Sequence, residues 1–253
     1  MLRPTRLVLS IATLLFSTIW AVAQMSHLGP VGQMGQATKV EESTASRLIN
    51  RGNAEYRKAK YQTAIEYYSK VDRSAGELYA RAIYNIGVCY FELYRTEEAI
   101  AMYQRAIKLQ NERYPNALYA LGVALEDLKR IPDAKRAYQK AIAASEGKHS
   151  LAYFRLGVIT GEKDPEAAVE LFRKAIAFSG DDLPAGHNNL GVMLARRGRF
   201  EEAQREFALA VRNARGQMPE AEHNLKLCSS LMRVRSNTAA LTQFVINQSK
   251  PRS

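Results

Sequence analysis

The chain has 253 residues, 47% hydrophobic and 24% charged, with a formal net charge of +11. That composition can build a packed core, so disorder is not the default. Its two cysteines, Cys89 and Cys228, are too few for a disulfide scaffold or a paired-cysteine zinc site. The basic balance would suit an acidic protein, an anionic lipid surface or nucleic acid. Acids and bases are nevertheless interspersed along most of the chain, as on an ordinary solvated surface, and no specific nucleic-acid partner is expected.

At the N-terminus, Arg3 and Arg6 precede an apolar run from Leu7 to Trp20, followed by Ala21-Val22-Ala23. This is the three-part pattern of a secretory signal peptide over residues 1–23, with cleavage expected before Gln24. The run is slightly shorter than the ~20 residues a spanning helix needs; an uncleaved membrane anchor is the alternative. No cysteine follows it, which excludes a lipoprotein anchor. The mature protein is expected to be exported, to the periplasm or beyond. Residues 24–40 carry Gly29, Pro30, Gly32 and Gly35 with little apolar periodicity and read as a flexible linker.

The middle of the chain is rich in alanine, leucine, glutamate, lysine and arginine, all good helix formers, and it repeats itself. Glycines recur at Gly52, Gly87, Gly122, Gly157 and Gly191, in steps of 35, 35, 35 and 34. Twelve residues on stand Ala64, Ala99, Ala134 and Ala203; in the fourth unit Ala168 comes one residue earlier, so the turn near Asp164-Pro165 is shorter. An aromatic follows each alanine by four residues (Tyr68, Tyr103, Tyr138, Phe172, Phe207), and a small residue follows that by three (Val71, Ala106, Ala141, Ala175, Ala210). Offsets of three, four and seven place these residues on one helical face. Each unit therefore reads as two antiparallel helices crossing closely at the glycine and alanine, with the aromatic filling the space beside them. Neither helix can bury its face alone; stacked units form a continuous core. Pro115, Pro184 and Pro219 open first helices, and Pro132 and Pro165 open second ones, since the first turn needs no amide there. The helix from Pro219 to about Arg235 has Lys226 in the glycine place and reads as a cap, closing a solenoid over 41–235. Residues 236–253 read as a loose tail. Cys89 and Cys228 each follow the glycine place by two, where small buried side chains are expected, so they should stay unpaired.

Segments such as Arg51-Gly-Asn-Ala-Glu-Tyr with Ala64-Ile-Glu-Tyr-Tyr, and Asn189-Leu-Gly-Val-Met-Leu with Phe200-Glu-Glu-Ala-Gln-Arg-Glu-Phe, resemble tetratricopeptide-repeat (TPR) motifs. The resemblance spans roughly Ala45 to Arg215. It implies an all-α solenoid of about five helix-turn-helix repeats that binds protein partners on a concave face lined by the first helices.

On those first helices the places flanking each glycine are distinctive. Three before stand Ile49, Tyr84, Tyr119, Phe154 and Asn188; two before stand Asn50, Asn85, Ala120, Arg155 and Asn189. Asn53 follows the first glycine, and Tyr56 and Phe91 lie four beyond the first two. An aromatic column, Tyr84–Tyr119–Phe154, flanked by asparagines suits a linear peptide or a partner helix, the aromatics giving rigid area and the amides pairing with backbone. The column can equally be core packing between neighbouring helices. The expected groove is thus Ile49, Asn50, Asn53, Tyr56, Tyr84, Asn85, Phe91, Tyr119, Phe154, Asn188 and Asn189. TPR domains that clamp chaperone C-termini carry asparagines matching Asn53 and Asn85, but here Ile49, Asn116 and Ala120 replace the basic residues, so that ligand is not expected.

Nothing in the sequence points to catalysis, a cofactor, a metal or a small-molecule substrate. The four histidines, His27, His149, His187 and His223, lack metal-ligand spacing, although His187 and His223 fall on first helices of adjacent units. No phosphate-binding loop or nucleophile elbow occurs. The sequence points to an exported interaction scaffold, in envelope, pilus or secretion assembly. The alternative is an accessory subunit docking a basic face, Arg196, Arg197, Arg199, Arg205, Arg212 and Arg215, on an anionic membrane or cell-wall surface.

Overall fold

Where two helices meet at a glycine, the partner's side chain can lie directly on the backbone, and this contact builds every hairpin among the described residues. In a computed structural model, residues 43–233 are described. The expected signal, linker and tail lie outside them. The described chain falls into two compact units, one running up to Glu112 and the other starting at Arg113.

In the first unit, α1 (Thr44–Arg57) turns back into α2 (Tyr61–Ser69). A 3-10 turn at Arg73–Ala75 leads to a second hairpin, α3 (Glu77–Glu92) and α4 (Thr96–Leu109). The other unit holds three hairpins: α5 (Pro115–Asp127) with α6 (Ile131–Ala144), α7 (Ser150–Thr160) with α8 (Pro165–Phe178), and α9 (Pro184–Arg196) with α10 (Phe200–Asn213). A last helix, α11 (Pro219–Arg233), packs on α10 and α9. Within each unit the second helix of one hairpin also touches the first helix of the next, so the hairpins stack. No strand occurs among the described residues, and none of their helices is long and apolar enough to cross a membrane. The architecture is the expected all-α one, helix-turn-helix repeats of the α-solenoid class with a terminal cap.

The periodic residues do the packing foreseen for them. A β-carbon at Gly52 or Gly122 would stand 2.4 Å from a ring carbon of Tyr68 or Tyr138; at Gly87, Gly157 and Gly191 the gap to Tyr103, Phe172 and Phe207 would be 2.7 Å. Ala64, Ala99, Ala134, Ala168 and Ala203 are fully buried beside these rings. The capping helix buries Ala221, Asn224 and Cys228 and turns His223, Lys226 and Ser230 to solvent. Its Lys226 needs no glycine because no partner ring lies there among the described residues. Both cysteines are free and buried, and the Cys228 thiol donates to the Phe200 carbonyl at 3.3 Å.

The turns obey the same register. Seven residues after the glycine, the hairpin turn takes a left-handed residue: Ala59, Tyr94, Lys129 and Gly198. The shorter fourth turn has Asp164 there instead, with φ −140°, and its carboxylate caps α8 by accepting the Ala167 N–H at 3.0 Å. In the second unit the connections after α6, α8 and α10 each use two consecutive left-handed residues, Glu146-Gly147, Gly180-Asp181 and Arg215-Gly216, whereas the connection in the first unit uses Gly76 alone.

In an open helix interior, Gly→Ala stabilises by about 0.8–1 kcal/mol. At Gly122 the sign should reverse, because the new methyl displaces the Tyr138 ring at an overpacking cost of ~1–3 kcal/mol. Urea unfolding followed by circular dichroism should show a lower midpoint for Gly122→Ala, with part of the loss recovered when Tyr138→Leu is added. An unchanged or higher midpoint for the single variant would contradict the packing argument.

Candidate functional site

The first helices carry the candidate binding residues, and the structure sorts them by burial. Tyr84, Tyr119 and Phe154 are only 4%, 3% and 0% exposed, which corrects the expectation of an open aromatic column. Each instead tilts against the glycine-packed ring of its own hairpin: Tyr84 on Tyr103 at 5.8 Å between centroids, Tyr119 on Tyr138 at 5.7 Å, and Phe154 on Phe172 at 5.9 Å. These pairs are core, and truncating one would cost ~3–5 kcal/mol. Ile49 and Tyr56 are buried as well. Of the expected groove, Asn50 is exposed, and Asn53 and Phe91 are half-buried.

The asparagines are buried or engaged by neighbours. Near the C-terminal end, Asn188, Asn189 and Asn224 have no exposed surface. Asn224 Nδ2 donates to Asn188 Oδ1 at 2.9 Å, and Asn188 Nδ2 donates to Asn189 Oδ1 at 3.1 Å. This amide chain ties α11 to α9 and corrects the placing of Asn188 and Asn189 in a groove. Asn224 shares its helical place with Asn189, but it lies on the cap, which lacks the glycine that marks the repeat.

In the first unit, Asn85, also buried, donates from Nδ2 to Asn53 Oδ1 at 3.4 Å, and the Tyr68 hydroxyl donates to the same oxygen at 2.7 Å. The Tyr56 hydroxyl donates to Glu92 Oε1 at 3.1 Å. These two rungs, Asn85–Asn53 and Tyr56–Glu92, join α3 to α1. The second unit has an ionic version between α7 and α5. Arg155 Nε donates to Glu126 Oε2 at 2.8 Å, and the Tyr138 hydroxyl donates to the same oxygen at 2.7 Å. Both side chains of the pair are mostly buried. Burial raises the Tyr138 hydroxyl well above its ordinary range and pushes Tyr119 up to about 12, so both phenols are neutral. Sequence reading did not include Glu92, Glu126 and Arg155 in the groove. The signal was present in the repeat register: Arg155 stands two before its glycine, as Asn85 does, and Glu126 stands four after, as Tyr56 does.

Two histidines take structural posts. His187 is buried, with Nδ1 2.7 Å from Glu206 Oε2, whereas His223 is exposed. His149 caps α7: its Nδ1 accepts the Ala152 N–H at 3.3 Å, and its ring stacks on Tyr119 at 5.2 Å. Burial holds its pKa down at about 4. Among the described residues no cluster of three or more histidine, cysteine or carboxylate side chains could hold a metal ion. Of the arginines near the C-terminal end, Arg197 pairs with Glu166 and Arg199 with Glu202, while Arg196, Arg205, Arg212 and Arg215 are exposed.

Profiles of the tetratricopeptide repeat match residues 78–147, 119–182 and 188–212. Together they cover about half of the chain. The protein belongs to the tetratricopeptide-repeat family. Among curated proteins, none matches the chain by sequence. Solved TPR structures share its fold. PilF of Pseudomonas aeruginosa superposes with a TM-score of 0.60 at 18% identity, over 79% of this chain and 96% of PilF. MamA from Desulfovibrio magneticus RS-1 gives 0.54 at 22%, over 69% and 97%. YrrB, described as a TPR protein with an unusual peptide-binding site, gives 0.52 at 24%, over 72% and 92%. At these identities the likeness is one of fold.

This TPR array should lose the His149 cap in acid. Unfolded histidine titrates near 6.5 and the folded residue near 4, so between those values the unfolded chain binds the extra proton. Stability from this residue is therefore present above about pH 6.5 and lost as pH falls through 4, by about 3 kcal/mol in all. Urea melts at pH 7 and pH 4.5 should show that drop, and His149→Asn, a cap that does not titrate, should flatten it. An equal acid loss in the variant would assign it elsewhere.

Proposed function

We propose that the protein is an exported TPR scaffold that holds a partner protein, as an extended peptide or a helix, against its first helices during envelope, pilus or secretion assembly. The observation that carries this reading is the surface of the first unit. Asn50 is exposed, and Asn53 and Phe91 are half-buried, on the first helices α1 and α3. An aromatic face beside amide and carboxylate groups gives contact area together with backbone pairing. Family membership supports it, and so does the peptide-binding site ascribed to YrrB. Export rests on the N-terminal pattern of Arg3, Arg6, the apolar run and Ala21-Val22-Ala23.

A second reading has one observation in its favour. The exposed Arg196, Arg205, Arg212 and Arg215 of the second unit would dock on an anionic membrane or wall polymer. Such binding weakens steeply with salt, since the screening length falls to ~8 Å at physiological ionic strength.

A photoreactive side chain at Phe91, introduced in the native cells, should crosslink to a discrete protein, while the same group at the exposed Phe178 should not. Equal capture at both places, or none at Phe91 together with salt-sensitive binding to anionic vesicles, would replace the scaffold reading with the second. Mass spectrometry of the same material should find Gln24 as the N-terminus; a chain still starting at Met1 in the cytosol would end the export proposal.

A further inference from the structure

In the second unit, the place eight before the glycine position packs the start of each first helix. It holds Tyr114 at α5, His149 at α7, Leu183 at α9 and Met218 at α11. Leu183 and Met218 are buried there, and Tyr114 is half-buried. Those three side chains bind no proton in mild acid. His149 is the one that does. It also differs in a second way: α7 is capped by the side chain at this place, whereas α5 and α9 are not.

Hydrogen bonding fixes where an added proton must go. Nδ1 accepts the Ala152 N–H, so the neutral ring carries its hydrogen on Nε2, which is buried with no partner. A proton gained in acid therefore lands on Nδ1, the atom that makes the cap. Two N–H groups would then face each other, Nε2–H would still lack an acceptor, and a positive charge would sit at the positive end of α7. The stacked Tyr119 ring would attract the cation, but burial outweighs that attraction and holds the ring's pKa at about 4. The surrounding charges are engaged elsewhere. On the connection, Glu146 lies 4.0 Å from Lys148, both in solvent, and beyond Tyr119 the Glu126 carboxylate pairs with Arg155. α8 meets the next residue, its Ala175 carbonyl accepting the Ser150 hydroxyl at 2.7 Å.

We propose that His149 is a proton-operated latch on the α6–α7 connection. Neutral, its ring joins Tyr119 of α5 to the first turn of α7 and holds residues 145–152 closed. Protonated, the ring leaves for solvent and takes the cap with it. The connection is built to follow, because Glu146 and Gly147 are both left-handed, a conformation that a residue with a β-carbon leaves with a gain. Further along, α7 stays attached through Phe154 on Phe172 and Arg155 on Glu126. The release is therefore local. It bares one face of the Tyr119 ring and the first-turn amides of α7, while the starts of α5 and α9 stay shut. One connection opens ahead of the rest, which a uniform loss of stability would not produce.

Nitrogen NMR of the full chain at pH 7 should find the ring hydrogen of His149 on Nε2. Amide exchange, corrected for the intrinsic rate, should show Ala152 and Tyr153 opening on the order of 100-fold more readily at pH 4 than at pH 7. That factor follows from a ring that titrates near 6.5 when free and near 4 when latched. Amides of 117–119 and 186–188 should change far less. His149→Leu, which gives α7 the side chain α9 has at this place, should remove most of the increase, and so should His149→Asn. If His149→Leu fails to fold, His149→Asn decides. A ring hydrogen on Nδ1 at pH 7, the same acid response in the folded variants, or an equal response over 117–119 and 186–188 would overturn the latch.

Discussion

The contact between a backbone glycine and an aromatic ring governs this structure. A ring carbon of Tyr138 sits 2.4 Å from where a β-carbon of Gly122 would be, and the other four hairpins repeat the contact at 2.4–2.7 Å. That proximity sets how closely the paired helices cross. The close crossing in turn requires alanine at Ala64, Ala99, Ala134, Ala168 and Ala203, because a larger side chain would separate the helices again. The turn chemistry follows as well, since helices this close leave only a few residues to reverse direction, and left-handed residues recur there at one register place.

The same contact reaches into the chemistry of the first helices. A tyrosine packed on the glycine carries its hydroxyl on to other residues of the first helix. There Tyr68 meets Asn53 and Tyr138 meets Glu126. Core packing thus supplies donors to the first helices, and the residue at one or four places beyond the glycine decides whether each donor is used. Where that residue is a carboxylate, the next first helix can bring a cation, as Arg155 does, and a buried ion pair results. Such a pair stabilises little by itself, because desolvation offsets most of its Coulomb energy. Breaking it would strand a charge, so it holds α5 and α7 in one register. Where the residue is apolar, as with Val88 and Phe91 around Tyr103, the hydroxyl is left over.

Polar side chains finish the first and the last of the described helices differently. The Ser43 hydroxyl accepts the Ser46 N–H at 3.1 Å and caps the first helix. At the other end α11 copies a first helix without its glycine and closes on α9 through the Asn224–Asn188–Asn189 chain. Buried amides in a chain of this kind are satisfied only in one alignment, which makes them register keys more than sources of stability.

Helix type, hairpin register, the shortened turn at Asp164 and the capping nature of α11 were all legible in the sequence. Each depends on residues a fixed, short distance apart, and helical periodicity converts such distances directly into a shared face. The interaction class followed from the same pattern through family resemblance. What the sequence could not show was which first-helix side chains face outward. Tyr84, Tyr119 and Phe154 have the spacing of a surface column and the burial of a core, because each leans on a ring in the other helix of its hairpin, and that depends on how closely the helices approach in three dimensions. The pairing of Glu126 with Arg155, and the spare acceptor on Asn85, likewise arise between residues about thirty places apart in sequence. Periodicity sets which face a residue occupies; only the stacked structure decides whether that face meets water, a neighbouring helix or a charge.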